Sequence, residues 1–134
     1  MRITFVNVGY GDAILMESDT GYTALLDGGG NLPQEFEGDP YRVRCAEYLR
    51  TRQIHHIDAL LISHIHEDHV CGLLPVLKDV SVGAIYVPYP AEPCLKGKPL
   101  EAKEGAARSV PLYTAALNSY REIISDANAK QIPV

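Results

Sequence analysis

The sequence predicts an α/β domain built on a mixed sheet flanked by helices, and three observations support this fold class. Three short β-rich segments joined by tight turns open the chain, which indicates an antiparallel meander. Helical and buried-strand patterns then alternate, as they do in βα units. The 134 residues are enough for one domain, and a content of 46% hydrophobic and 22% charged residues is typical of a globular protein.

The opening meander accounts for the first 27 residues. β-branched and other apolar residues dominate three segments, at 3–8, 13–17 and 22–27, and the length of each suits a strand. Turns that contain glycine separate the segments at 9–12 and 18–21. We therefore expect three neighbouring antiparallel strands, the third of which ends at a run of three glycines.

The elements after the meander alternate between helix and strand. Asp39 and Pro40 suit the N-cap and first turn of a helix, after which apolar residues recur at helical spacing. The other expected elements, in chain order, are a strand at 57–62, a short helix at 70–77, a strand at 82–87, a surface loop at 88–105 and a helix capped by Ser109. The last helix is expected to bury one face, formed by Tyr113, Ala116, Leu117, Tyr120 and Ile124. Residues 131–134 resemble a turn that enters another strand.

Charge, cysteine content and hydropathy argue against several classes of protein. A net charge of −5 argues against a broad basic surface for nucleic acid, but a small anionic substrate is still compatible, because bound metal ions would invert the local charge. Cys45, Cys71 and Cys94 are too few and too widely spaced for a disulfide framework, so we expect the reducing cytoplasm. The sequence shows neither a signal peptide nor an apolar run of about 20 residues, so no membrane association is expected.

A dense cluster of histidines and acids, SHIHEDH at residues 63–69, directly follows the strand predicted at 57–62. Alternate side chains of an extended segment share one side, so His64 and His66 would project together with Asp68. A turn into the next helix would bring His69 beside that aspartate. Three imidazoles and a carboxylate at the end of a strand suit a borderline metal ion such as Zn²⁺, with manganese or iron as alternatives.

A polar loop that happens to contain histidines is the alternative interpretation of this cluster. It suits the other two histidines, His55 and His56, which have no convergent partners in the sequence. It suits the later cluster less well, because three of the five histidines fall within six residues there, interleaved with acids at ligand spacing. Glu67 is expected to face solvent or to support the ligands, and Cys71 to pack at the start of the next helix.

The cluster resembles the HxHxDH signature of the metallo-β-lactamase superfamily, which His64, His66, Asp68 and His69 match in full. The resemblance implies a hydrolase of αββα fold with two metal ions per complete domain, usually Zn²⁺. It implies that the first two histidines hold one ion, that Asp68 and His69 hold the second, and that Asp68 also orients the nucleophile.

Asp27, followed by glycine, resembles the aspartate of an earlier DG motif in that superfamily. The implied role is that of an outer carboxylate, which hydrogen-bonds to a metal ligand and sets its orientation and tautomer. A simple strand-to-turn residue is the alternative, because Asp and Gly are common at turns.

The first strand and turn resemble one particular branch of that superfamily. Residues 7–15, NVGYGDAIL, are similar to the DVGQGDAILI opening of the competence-protein branch, which is related to the hydrolase domain of the bacterial DNA-uptake channel. Asn7 and Tyr10 depart from that pattern, whereas the glycines and Asp12 agree with it. A tight turn between strands is the simpler explanation of the glycines. The resemblance implies hydrolysis of a phosphodiester, in a nucleic acid or a small molecule, by a metal-activated water.

The resemblance further implies that residues 1–134 are the N-terminal half of a longer domain, whose second half supplies more ligands. No histidine follows His69, so each metal ion would have two protein ligands instead of about three plus water. The chain by itself is therefore expected to be inactive or nearly so. Its uncovered sheet favours a homodimer or a domain-swapped oligomer. The alternatives are a hydrolase of a thioester or lactone, and a non-catalytic metal-binding or interaction module.

Overall fold

The chain folds into the α/β arrangement that the sequence predicts, and the computed structural model describes residues 1–90 and 96–134. A mixed five-stranded sheet has the order β1-β2-β3-β4-β5. The strands are β1 (Arg2–Phe5), β2 (Ile14–Glu17), β3 (Thr23–Leu26), β4 (His56–Leu61) and β5 (Ser81–Tyr86). The first three strands form the predicted antiparallel meander, and the last three are parallel to one another.

Helices pack against this sheet in a separate layer. They are α1 (Cys45–Thr51), α2 (Glu67–Val70), α3 (Leu73–Asp79) and α4 (Ser109–Ala129), and a 3₁₀ turn occupies Pro33–Glu35. The α3 helix contacts α1 and α4, and α4 also contacts the short α2. Among the described residues, none of the helices combines the length and the hydropathy needed to cross a bilayer.

The core lies between the helices and one face of the sheet. Leu15, Leu25, Leu60 and Ile85 lie side by side across four strands, and each is at most 2% exposed. Complete burial of one such side chain stabilises the fold by about 1.5–3 kcal/mol. Helix side chains complete the same cluster, among them Leu49, Leu73, Val76, Tyr120 and Ile124.

The opposite face of the sheet is apolar and only partly covered. Phe5, Ile14, Leu26, Leu61 and Tyr86 form one row across all five strands. Phe5 is 74% exposed and Tyr86 58% exposed, and the three residues between them are half-buried. This row therefore leaves apolar side chains exposed at both ends, in contrast to the usual apolar-inside pattern.

The helix predicted after Asp39 begins later than expected. Asp39 accepts a hydrogen bond from the Tyr41 backbone N–H at 2.9 Å, as in a turn, and the α1 helix begins only at Cys45. The backbone N–H of Val43 donates to the carbonyl of Asn7 at 2.9 Å. This long-range bond keeps the segment from coiling, which is why the favourable capping pair does not start a helix.

The buried face of α4 differs from the predicted one. Ala116, Tyr120 and Ile124 are buried as expected, but Tyr113 is 53% exposed and Leu117 is 43% exposed. The helix starts at Ser109 with Arg108 as its N-cap, so the cap predicted at Ser109 is wrong by one position. The buried face is instead continued by Ser119, Ile123 and Ala127. The first turn of α4 therefore extends beyond the core.

The two remaining predictions concern the segments before and after α4, a loop at 88–105 and a turn at 131–134. In the predicted loop 88–105, the described residues contain no helix or strand, and residues 91–95, which include Cys94, lie outside the described residues. After α4, Gln131 adopts a positive φ of 57° and turns the chain. The Pro133 carbonyl then accepts a hydrogen bond of 2.8 Å from the Ile85 backbone N–H, along the free edge of β5.

Candidate metal centre

The SHIHEDH segment leaves the sheet at the carboxyl end of β4. Because β3 and β4 are parallel neighbours, Asp27 after β3 and Ser63 after β4 reach the same edge of the sheet, and the Asp27 N–H donates to the Leu61 carbonyl at 2.9 Å. His66 is the N-cap of α2 and still has extended backbone angles. The histidines therefore lie at the carboxyl ends of the strands, where open α/β sheets usually bind their substrates and cofactors.

Asp27 is the most buried polar residue of this edge, at 1% exposure. Its Oδ1 accepts a hydrogen bond from the Ser63 backbone N–H at 2.8 Å. Its Oδ2 accepts one from the Ser63 hydroxyl and another from His69 Nδ1, the latter at 2.9 Å. Asp27 also adopts a φ of 55°, which an aspartate tolerates better than most residues. It thus ties the end of β3 to both ends of the histidine segment.

The three histidine rings lie beside one another. The ring centroids of His64 and His69 are 4.0 Å apart, and those of His64 and His66 are 4.5 Å apart. Ligand atoms of Asp27, His64 and His69 lie within 4.8 Å of one another, close enough for a common metal ion. The hydroxyl of Ser63 lies 2.8 Å from His64 Nδ1.

Two of the predicted ligands stand at the rim of this group. Asp68 Oδ1 is 4.0 Å from His69 Nε2, and Asp68 lies in the first turn of α2. His66 is exposed, and its ring packs edge-on against Tyr113 of α4, with centroids 5.6 Å apart. Neither residue belongs to the compact group of Asp27, His64 and His69.

Close backbone packing holds the segment in place. Gly11 has a φ of 70°, and a methyl group on it would overlap the carbonyl of Asp68. The Gly28 N–H donates to the His69 carbonyl at 2.9 Å, and the Gly72 N–H donates to the Gly29 carbonyl at 2.9 Å. The glycine of the first turn and those of the run after β3 therefore let the meander contact the α2 region directly, a role that the turn pattern alone did not predict.

Glu67 of the histidine segment and Glu35 form a pair of buried carboxyl groups. Glu67 is 8% exposed and accepts a hydrogen bond from the Asn31 N–H at 3.1 Å, so the prediction that it could face solvent is wrong. Glu35 is 6% exposed and accepts one from the Leu32 N–H at 2.9 Å. Burial, together with the adjacent Glu67 carboxyl group, raises the pKa of Glu35 to about 7. Only the fold reveals Glu35, because its sequence context is an ordinary turn.

Cys71 is not available as a ligand. Its Sγ lies 3.2 Å from the Ser119 hydroxyl of α4, and the residue is 5% exposed. Burial raises the pKa of this thiol to about 11, so it stays protonated at neutral pH, whereas metal ions bind the thiolate. The residue packs between α2 and α4, which agrees with its predicted packing role.

A cleft of about 730 Å³ opens beside the rim ligands. His66 and Asp68 line one side, and the first turn of α4 lines the other. Two exposed aromatic rings, Tyr10 and Tyr113, and the cation of Arg108 also border the cleft. The sequence placed Tyr113 in the core, and only the packing of α4 shows that it faces His66 instead.

Comparisons with known proteins are consistent with this arrangement. The chain matches the family described as "Metallo-beta-lactamase superfamily" over residues 6–123. It is similar to the protein named ribonuclease Z from Methanopyrus kandleri, with 39% identity over 54 residues. The similar segment is 36% of this chain and only 19% of the relative. Because the family match covers most of the chain and includes the whole histidine segment, this protein belongs to the metallo-β-lactamase superfamily.

Proposed function

We propose that this chain carries the metal-binding residues of a metal-dependent hydrolase that cleaves phosphodiester bonds, with nucleic acid as the first substrate to test. The observation that supports it best is the convergence of His64, His66 and His69 at the carboxyl edge of the sheet. Three adjacent imidazoles are unusual in an ordinary protein core, whereas imidazole nitrogen is a common ligand in metal sites.

The donor set fits divalent metal ions. His64 and His66 would hold one ion, and Asp68 and His69 would hold a second. Zinc takes imidazole nitrogen and carboxylate oxygen, and manganese or iron would accept the same donors. When bound, the ions supply a metal-activated water as the nucleophile near neutral pH. Asp68 would orient that water from the rim of the group.

Asp27 is better suited to orient a ligand than to bind metal itself. Both of its oxygens already accept hydrogen bonds from the protein, three in all, and it is 1% exposed. Three of the about four lone-pair sites of this carboxylate are therefore occupied, and one remains on Oδ1. An outer carboxylate bonded to a ligating histidine is a common feature of metal sites and increases the basicity of that ligand.

The cleft supports a nucleotide-like substrate. Exposed tyrosine rings provide faces on which bases can stack, and Arg108 can pair with a phosphate oxygen. The similarity to a protein named ribonuclease Z points the same way. The narrower resemblance to the competence-protein branch, and the cytoplasmic location inferred from the cysteines, stay predictions.

The chain assayed alone is expected to bind metal weakly and to turn over little substrate. Under the proposed assignment each ion receives two side-chain ligands from this chain, whereas catalytic zinc sites provide about three. A second chain or segment would have to complete the site. The substrate should therefore be identified by activity assays on a form in which the metal site is completed.

The first experiment measures metal content. The purified chain is brought to equilibrium by dialysis against buffer that contains Zn²⁺, Mn²⁺ or Fe²⁺, and the bound metal per chain is measured. We expect binding that the His66→Ala variant loses and the His55→Ala variant keeps, because His55 is an exposed histidine remote from the cluster. Equal metal content in the native chain and both variants would contradict the proposal.

A second experiment compares ester classes. Bis(p-nitrophenyl) phosphate and a short single-stranded RNA are assayed beside a thioester and a lactone, using the longest form of the protein that contains these residues. We expect metal-dependent cleavage of the two phosphodiesters. Preferential cleavage of the thioester or lactone would replace the substrate assignment, and metal binding without any turnover would favour a non-catalytic module.

A further inference from the structure

We infer that Ser63 is a positioning residue that joins the two halves of the metal centre, because its hydroxyl links His64 to the same carboxylate that holds His69. Oδ2 of Asp27 contacts both the Ser63 hydroxyl and His69 Nδ1. The Ser63 oxygen is in turn 2.8 Å from His64 Nδ1. The inference rests on the proposed metal-binding function and adds a residue outside the HxHxDH signature.

The direction of each hydrogen bond follows from the number of protons available. A carboxylate can only accept, so the single hydroxyl proton of Ser63 is donated to Asp27. The Ser63 oxygen can then only accept from His64, so the proton of that neutral imidazole lies on Nδ1. The same reasoning places the proton of His69 on Nδ1, because its partner is also the carboxylate.

The result is one tautomer for both histidines. With Nδ1 protonated, Nε2 of each ring keeps its lone pair. Nε2 is therefore the atom that can bind a metal ion. His64 is assigned to one ion and His69 to the other, and their rings are 4.0 Å apart. Asp27 therefore orients a ligand of each ion, directly for His69 and through Ser63 for His64.

The backbone geometry makes Ser63 separable from Asp27 in an experiment. The Ser63 backbone N–H donates to Asp27 Oδ1 at 2.8 Å, and this bond does not depend on the side chain. Ser63→Ala should keep the loop attached while it removes only the hydroxyl. Ser63→Thr keeps the hydroxyl, and the exposed position of Ser63 leaves room for the added methyl group.

The test is an NMR measurement of histidine tautomers, made on the metal-free chain with ¹⁵N-labelled histidine above the pH at which imidazoles are charged. Long-range ¹H–¹⁵N correlations distinguish a protonated Nδ1 from a protonated Nε2. We expect Nδ1–H for His64 and His69 in the native chain. Ser63→Ala should give mixed tautomers at His64 alone, and Ser63→Thr should restore the native pattern.

Zinc titration of the same variants provides the second readout. We expect Ser63→Ala to weaken zinc binding by about 10- to 100-fold, the usual effect of losing an outer partner of a ligating histidine. Ser63→Thr should bind like the native chain. Circular dichroism checks that each variant is folded.

The outcomes separate this inference from the proposed function. An unchanged Nδ1–H tautomer at His64 in folded Ser63→Ala, or a native chain with Nε2–H at His64, would overturn the positioning role. Native tautomers that depend on Ser63, in a chain that binds no zinc, would support the hydrogen-bond relay and contradict the metal-dependent function.

Discussion

At the scale of single residues, Asp27 combines an unfavourable backbone conformation with three hydrogen bonds. Its φ of 55° lies in the left-handed region, which costs a non-glycine residue about 1–2 kcal/mol. The bonds from Ser63 and His69 hold it there. Strain of this kind persists only where surrounding structure enforces it, and it often marks a functional site. The resemblance predicted that Asp27 hydrogen-bonds to a metal ligand, with a plain turn residue as the alternative, and in the structure its carboxylate contacts His69 Nδ1.

Glu35 makes the stability of the metal-free chain depend on pH. Burial raises its pKa from 4.5 to about 7, so the folded chain keeps a proton that the unfolded chain releases in this interval. The free energy of unfolding should therefore fall as pH rises from about 5 to 8, by at most about 3 kcal/mol from this residue. Urea unfolding in the presence of EDTA, at several pH values, measures the effect.

Glu35→Gln is the matched variant for that experiment. The amide oxygen can still accept the hydrogen bond from the Leu32 N–H, but the side chain does not titrate. The unfolding free energy of the native chain minus that of this variant should fall as pH rises from about 5 to 8. A difference that is constant from pH 5 to 8 would show that Glu35 has an ordinary pKa.

At the scale of elements, contacts between loops and helices position the site more than regular secondary structure does. The α2 helix has only four residues, too few to be stable alone. The glycine loop after β3 and the turn after β1 both pack against it. The meander therefore holds the HxHxDH segment in place through these glycine contacts.

Gly11 provides a direct test of that packing. We expect Gly11→Ala to destabilise the fold by about 1–3 kcal/mol more than Gly38→Ala, because a methyl group at Gly11 would overlap the Asp68 backbone. Gly38 has a similar positive φ, 78°, but open space around it, so it isolates the cost of the φ angle alone. Thermal unfolding of both variants gives the comparison, and equal losses would show that the close contact is unimportant.

At the scale of the whole molecule, the core and the site lie on different parts of the sheet. The helices cover the row that contains Leu15 and Leu60, the histidine segment lies at the carboxyl edge, and the opposite face stays partly open. The cleft forms only where α4 returns past the ligands, bringing Tyr113 to His66. The walls of the cleft thus include an element far from the histidine segment in sequence.

Substitutions in the cleft are predicted to weaken oligonucleotide binding without changing metal binding. Tyr113→Ala and Arg108→Ala should each weaken binding of a short single-stranded oligonucleotide by about tenfold, since one stacked base contributes about 1–3 kcal/mol. Zinc content should not change. Fluorescence anisotropy measures the first quantity, and Tyr22→Ala is the control, because Tyr22 is equally exposed, at 52%, but lies outside the cleft. Oligonucleotide binding equal to that of the Tyr22 variant would exclude the cleft as the nucleic-acid site.

The open sheet face predicts self-association of this chain. Phe5 and Tyr86 expose apolar surface at both ends of one continuous row, and burial of such a row between two copies is favourable. Sedimentation equilibrium should show a concentration-dependent dimer that Phe5→Ser and Tyr86→Ser together weaken. The double substitution Tyr41→Ser and Tyr22→Ser, at exposed aromatic residues elsewhere, should not. A native chain that stays monomeric at high concentration would contradict this prediction.

The sequence by itself determined the α/β class, the opening meander and the histidine segment, because these depend on local alternation, turn chemistry and ligand spacing. It misplaced the start of α1, where a bond from Val43 to Asn7 replaces the helical turn, and the orientation of Tyr113 on α4. Only the tertiary structure brought Ser63, Asp27 and His69 into one hydrogen-bond network and buried Glu35 beside Glu67. Those contacts join residues 32–42 positions apart, and local pattern carries no information about which distant side chains meet.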